Sequence, residues 1–164
     1  GNAALFLLGV CYVPLLLSHL VLLRALSDGV LWIFLMMTVV MSSDTAAYYV
    51  GSAIGRHKLY PAVSPNKSVE GAMGGLAGSV VGALIFRTLF FPSLPLGHLL
   101  LVALILGLLA QTGDLFESLL KRSFGVKDSG TLIPGHGGVL DRIDSILFAA
   151  PAAYYYALYL SLFH

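Results

Sequence analysis

Charge is what this sequence has least of. Only 10% of its 164 residues are Asp, Glu, Lys or Arg, against about 25% in a typical soluble domain. Nine cations and eight acids leave a net charge of +1, so no bulk electrostatic pull toward nucleic acid is expected. Cys11 is the only cysteine, which excludes an internal disulfide and a cysteine-type zinc site. As a lone thiol in an apolar run it reads as inert packing. No Gly-x-x-x-x-Gly-Lys-Ser/Thr phosphate loop and no Gly-x-Gly-x-x-Gly fingerprint is present, and no Gly-x-Ser-x-Gly elbow supports a serine hydrolase. The chain opens on Gly1 and enters apolar sequence without the basic segment of a signal peptide. The expectation is that further residues precede it.

What the chain has instead is apolar length. It is 58% hydrophobic, with a mean hydropathy of +0.90, the composition of an integral membrane protein. A spanning helix needs roughly 20 mostly apolar residues. Five stretches approach that length: Ala3–Leu23, Val30–Val50, Ala72–Phe91, Leu96 to about Leu115, and Ile146–Phe163, the last with Pro151 inside it. The expected fold is all-α, a polytopic transmembrane bundle of about five spans forming one domain over residues 1–164. Gly74, Gly78 and Gly82 repeat every four residues along the third span. Such a stripe lets helices approach closely, or it offers a smooth face to a substrate's acyl chain. Arg56, Lys58 and Lys67 lie between spans two and three, and Lys121, Arg122, Lys127 and Arg142 between spans four and five. The positive-inside rule puts both loops in the cytoplasm.

The acids gather on the same side. Half of the chain's charged residues fall between Gln111 and Ser145. Asp114, Glu117, Ser118 and Lys121 are spaced i, i+3, i+4, i+7, so a helix continuing past the interface carries them on one face. Glu117 pairing with Lys121 would explain part of that stripe and leaves Asp114 unexplained. Asp141 and Asp144 open the last helix, where acids can serve as dipole partners. Together with Asp114 they can instead converge on one divalent cation or a pair, and hard oxygen donors suit Mg²⁺. Pro134-Gly135-His136-Gly137-Gly138 is either a plain reversal or a turn whose bare backbone admits a phosphate. Ionisable groups at membrane depth are costly and usually functional. Carboxylates, cations and bare backbone at a membrane surface suit phosphoryl or nucleotidyl transfer, which needs charge offset more than a protein nucleophile.

The run Ser118-Leu-Leu-Lys121-Arg122, Lys127-Asp128-Ser-Gly130, Pro134-Gly-His136-Gly137-Gly138, Asp141-Arg142-Ile-Asp144 resembles the C-terminal signature of the phosphatidate cytidylyltransferase (CDP-diacylglycerol synthase) family. Gln111-Thr-Gly113-Asp114 and Asp44-Thr-Ala-Ala47-Tyr48 resemble it too. Ser64-Pro-Asn66-Lys67-Ser68-Val69-Glu70-Gly71 is similar, although Asn66, Ser68 and Val69 stand where Lys, Thr and Trp are more usual. The resemblance covers roughly Val40 to the C-terminus, and it implies further N-terminal spans ahead of residues 1–164. It implies that CTP and phosphatidic acid give CDP-diacylglycerol and pyrophosphate, with Mg²⁺ as one ion or two, in a bacterial inner membrane with the site facing the cytoplasm. It implies Asp114, Asp141 and Asp144 as metal ligands and, with Lys121 and Arg122, as the catalytic set. Asp44, Lys67, Ser68, Ser118, Lys127, Asp128, His136, Gly137, Gly138 and Arg142 become the substrate-binding set. A homodimer is compatible with it. The rival expectations are a CTP-dependent polyprenol or lipid kinase, an ion-coupled transporter with acids facing each other near the bilayer midplane, and a scaffold packed through its glycine stripe.

Overall fold

A computed structural model describes residues 2–61, 63–123, 125 and 140–163, including side chains except those of 2–11 and 140–142. Five helices follow one another: α1 (Asn2–Arg24), α2 (Gly29–Ile54), α3 (Val69–Phe90), α4 (Leu96–Ser123) and α5 (Leu140–Phe163). Between α2 and α3 lies a small antiparallel hairpin, β1 (Lys58–Tyr60) and β2 (Ser64–Ser68), paired Lys58 to Ser68 and Tyr60 to Ser64. Four helices are long and apolar enough to cross a membrane, α2 to α5, and Tyr12–Arg24 of α1 is a shorter apolar helix. The all-α bundle expected from the sequence is therefore present, with the hairpin added to it.

Each long helix turns large apolar side chains outward. Leu15 and Val21 do so on α1, Phe34 and Met41 on α2, Ile85 and Leu89 on α3, Leu101 and Leu108 on α4, and Leu162 on α5. In water this belt would far exceed the apolar patches a soluble monomer exposes. In a bilayer it is simply the lipid-facing side, and the chain is an integral membrane protein. Inside, Leu35, Met36, Val39, Leu99, Val102 and Leu106 are buried completely or nearly so. The buried face of α5 is made of Ala149, Ala150, Ala153 and Ala157. Lipid tails are as apolar as leucine, so helices in a membrane associate by close packing of such small side chains.

The glycines of α3 serve that purpose. A Cβ on Gly78 would collide with Ala46 and with the Ser42 carbonyl oxygen. One on Gly82 would meet the Ser42 side chain, and one on Gly74 would overlap Val50. The stripe is thus the seam against α2, the neighbour with which α3 packs most extensively. The alternative, that it carries a substrate's acyl chain, is corrected: α2 covers that face. At the end of the seam Gly51 faces the Gly71 backbone, and the Ser68 hydroxyl caps α3 by accepting the Gly71 N–H at 3.1 Å. Gly55 ends α2 in an extended conformation beside Ser68. The hairpin therefore starts and finishes at the point where the two helices come together.

Candidate active site

The polar end of the bundle is assembled by small residues and one amide. Gln111 on α4 donates its Nε2 to the Ala72 carbonyl of α3 at 3.1 Å and to the Ser43 hydroxyl of α2 at 3.4 Å. Gly75 makes room for that amide, since a Cβ there would stand 2.6 Å from the Gln111 nitrogen. This clamp ties three helices together one residue before Asp44 and three before Asp114. Two residues beyond Gln111, Gly113 lets α4 touch α5: a Cβ there would lie 2.7 Å from the Asp144 carbonyl oxygen. Asp114 is thereby brought beside the N-terminal turns of α5.

Three carboxylates result. Asp44, Asp114 and Asp144 lie within electrostatic reach of one another and of Lys67. Asp144 is buried and its Oδ1 accepts the Ser145 backbone N–H at 2.7 Å. The Ser145 side chain lies beside Asp44. Lys67, on β2, closes the cluster from above, with Nζ 2.5 Å from Asp114 Oδ2. One turn further along α4, Lys121 Nζ sits 2.6 Å from Oε2 of the buried Glu117. Arg122 donates Nε to the Val63 carbonyl at 3.4 Å. Lys67 and Arg122 together fasten the hairpin across the end of α4. With one ammonium among three carboxylates, the cluster holds more acidic than basic groups.

At the root of the hairpin the Glu70 carboxylate accepts the backbone N–H groups of Arg56 at 3.1 Å and His57 at 3.2 Å, and faces His57 Nδ1 at 2.6 Å. The Val69 N–H donates to the His57 carbonyl at 2.8 Å. A cavity of about 360 Å³ opens at the opposite end of the bundle, where Asp28, Trp32 and Phe91 lie, far from these groups.

The sequence-derived residues fall as follows. Asp44, Lys67, Asp114 and Asp144 come together, with Lys121 acting electrostatically on Asp144. Ser118 is half-buried on α4, and the Ser68 hydroxyl is engaged as a helix cap. Asp141 and Arg142 lie in the first turn of α5, but their side chains are outside the described residues, as are Lys127, Asp128, His136, Gly137 and Gly138 altogether. Three contributors were missed as site residues: Gln111, Ser145 and the Glu70–His57 pair. Gln111 had a signal, an amide in an apolar helix, because buried amides in lipid must find partners. The other two had none, since their partners are remote in sequence.

Comparison with known proteins adds the following. A family model described as the cytidylyltransferase family matches residues 1–160. The phosphatidate cytidylyltransferase of Bacillus subtilis is 44% identical over 149 residues, covering 90% of this chain and 55% of that protein. The proteins of the same name in Staphylococcus saprophyticus and Staphylococcus haemolyticus are 44% and 46% identical over 150 residues, covering 92% of this chain and 57% of each. The chain spans about half the length of the curated relatives it matches.

Proposed function

The chain belongs to the cytidylyltransferase family, and we propose that it transfers the cytidylyl group of CTP to phosphatidic acid, giving CDP-diacylglycerol and pyrophosphate. The observation that carries this reading is the convergence of Asp44, Asp114 and Asp144 with Lys67 at one end of a lipid-facing bundle. Such an end is reached by a lipid head group from the bilayer and by a nucleotide from water. The proposed side is the cytoplasm, from the cations that flank this end, in a bacterial inner membrane as the organisms of the relatives suggest.

The reaction asks little covalent chemistry of the protein. A phosphate oxygen of the lipid attacks the α-phosphorus of CTP. The bond from that phosphorus to the oxygen bridging it to the β-phosphorus breaks, and the electron pair leaves with pyrophosphate. The protein's work is to align two polyanions and offset their charge. Lys67, Lys121 and Arg122 supply cations from two sides of the cluster, and Lys127 and Arg142 are proposed to add to them. Ser118, Asp128, His136, Gly137 and Gly138 complete the proposed substrate contacts.

Mg²⁺ fits the donor set. Among the described residues no three His, Cys, Asp or Glu side chains enclose a metal by themselves. Mg²⁺ characteristically takes only one or two carboxylates and fills its shell with water and substrate phosphates. Asp114, Asp141 and Asp144 are proposed to hold one ion or to share a pair, and when bound the metal would offset phosphate charge. The test is labelled CTP with the purified protein and phosphatidic acid in mixed micelles. Label in lipid with release of pyrophosphate is expected. Release of CDP would make the protein a lipid kinase, and ion flux without CTP consumption a transporter.

A further inference from the structure

We propose that His57, held by Glu70 and flanked by Arg56 and Lys58, is the landing site for the phosphomonoester head group of the lipid substrate. The proposal rests on the phosphatidic acid reading and adds a subsite to it. An ionised carboxylate only accepts hydrogen bonds. With Glu70 Oε1 2.6 Å from Nδ1, that nitrogen carries the proton and Nε2 points away from Glu70. Yet the His57 side chain is 80% exposed. A charge run that merely meets water needs no such bracing. Here one carboxylate fixes both the ring and the backbone N–H groups of residues 56 and 57. Arg56 and Lys58 are exposed, and among the described residues neither has an acidic partner within ion-pair distance.

The place and the chemistry both suit a lipid phosphate. The tripeptide follows the end of α2 directly, and Tyr48 and Tyr49 are exposed on the preceding turns. Aromatic side chains of that kind sit at head-group level. A phosphomonoester has a second ionisation near pH 6, so it presents both P–OH and P–O⁻ near neutrality. An oriented Nε2 accepts from the first in the neutral ring and donates to the second in the imidazolium, while a phosphodiester lipid offers no P–OH. The patch also leads to the cluster. Lys58 pairs with Ser68 across the hairpin, and the adjacent Lys67 reaches Asp114.

The test uses the purified protein in mixed micelles, varying the mole fraction of phosphatidic acid and the CTP concentration independently. A charge-assisted hydrogen bond contributes about 1.5–3 kcal/mol, and each 1.4 kcal/mol is tenfold. His57→Gln is therefore expected to raise the KM for phosphatidic acid roughly ten- to hundredfold while kcat and the KM for CTP hold. Glu70→Gln should act in the same direction more weakly, and Arg24→Gln, at the opposite end, should do nothing. Direct binding of short-chain phosphatidate and phosphatidylglycerol is measured alongside. The wild type should prefer phosphatidate, and His57→Gln should lose the preference. A rise in the KM for CTP instead would assign the patch to the nucleotide and overturn the proposal. So would an intact preference for phosphatidate. If the wild type incorporates no CTP, the substrate reading fails, and the binding comparison alone decides the subsite.

Discussion

Lys67→Met separates catalysis from stability. The ion pair with Asp114 spans 2.5 Å, and the two side chains keep 26% and 36% of their exposure. Pairs in contact with water contribute about 0.2–1 kcal/mol, so the variant should lose no more than roughly 1 kcal/mol of stability. Its catalytic cost should be larger, because Lys67 is proposed to offset charge that develops only in the transition state. Losing one such donor costs about 2.7–4 kcal/mol, or 10²–10³ in rate. The same substitution should act oppositely on metal binding. On the proposed metal role of Asp114 the ammonium would compete with a divalent cation, so its removal should tighten Mn²⁺ binding to the substrate-free protein. The assay is threefold: kcat/KM for CTP incorporation, thermal unfolding in detergent, and Mn²⁺ titration by calorimetry. A fall in unfolding temperature that parallels the fall in activity would reduce Lys67 to a structural strut. Unchanged or weaker Mn²⁺ binding would refute the competition.

Gly78→Leu should fail to assemble a stable bundle, because its side chain would enter Ala46 and the Ser42 carbonyl rather than a flexible neighbour. Overpacking costs typically about 1–3 kcal/mol, and thermal unfolding should show at least that. Lys121→Ala should destabilise more than Lys67→Ala, since the partner it abandons, Glu117, is only 5% exposed where Asp114 is 36%. Breaking a buried pair by removing one partner costs about 3–5 kcal/mol, and the order of the two unfolding temperatures checks the comparison. Gln111→Leu should cost only about 1 kcal/mol of stability, the scale of hydrogen bonds between membrane helices. It should nonetheless lower kcat well beyond that, because Asp44 and Asp114 are aligned through the clamp, a difference that parallel kinetics and unfolding would reveal.

The apolar spans were legible because lipid imposes a length, and that length is written in composition. The i, i+3, i+4, i+7 stripe from Asp114 to Lys121 was legible because a helix has a period, and α4 does continue to Ser123. The glycine ladder was half legible: spacing shows a smooth face, while only the position of α2 shows what covers it. The hairpin was not legible. Ser64-Pro65-Asn66-Lys67-Ser68 contains no β-branched or aromatic residue, and β1 is exposed throughout, so neither propensity nor alternation marks a strand. It is held by its docking to α4 through Lys67 and Arg122. The Glu70–His57 pair stayed hidden for a related reason. Its partners are thirteen residues apart across a hairpin, a separation with no helical or strand period behind it.

Helix lengths decide between a midplane ion path and an interfacial site. At about 1.5 Å per residue, the 28 residues of α4 extend about 42 Å and the 26 of α2 about 39 Å, against a hydrocarbon core of about 30 Å. α3, with 22 residues, extends about 33 Å and nearly matches the core. α2 and α4 must therefore tilt or project. Their apolar belts run through Met41 and Leu108, and their charged residues begin beyond those points, so projection at the Asp44 and Asp114 end satisfies both sequences. Lys121 and Arg122 then ride on turns of α4 past the hydrocarbon edge, with Glu117 buried against Lys121. Asp114 stands at that edge, bonded to a lysine of the hairpin, which itself lies outside the spans. A transporter needs its acids accessible in turn from both sides of the bilayer. This cluster is built from the projecting ends of helices, while the core between it and the far side is filled by Val39, Leu99, Val102 and Leu106. Charge placed in that way serves chemistry at one face. Depth-resolved quenching of a spin label at Ser118 should accordingly report the head-group region, and a label found near the bilayer centre would contradict the argument.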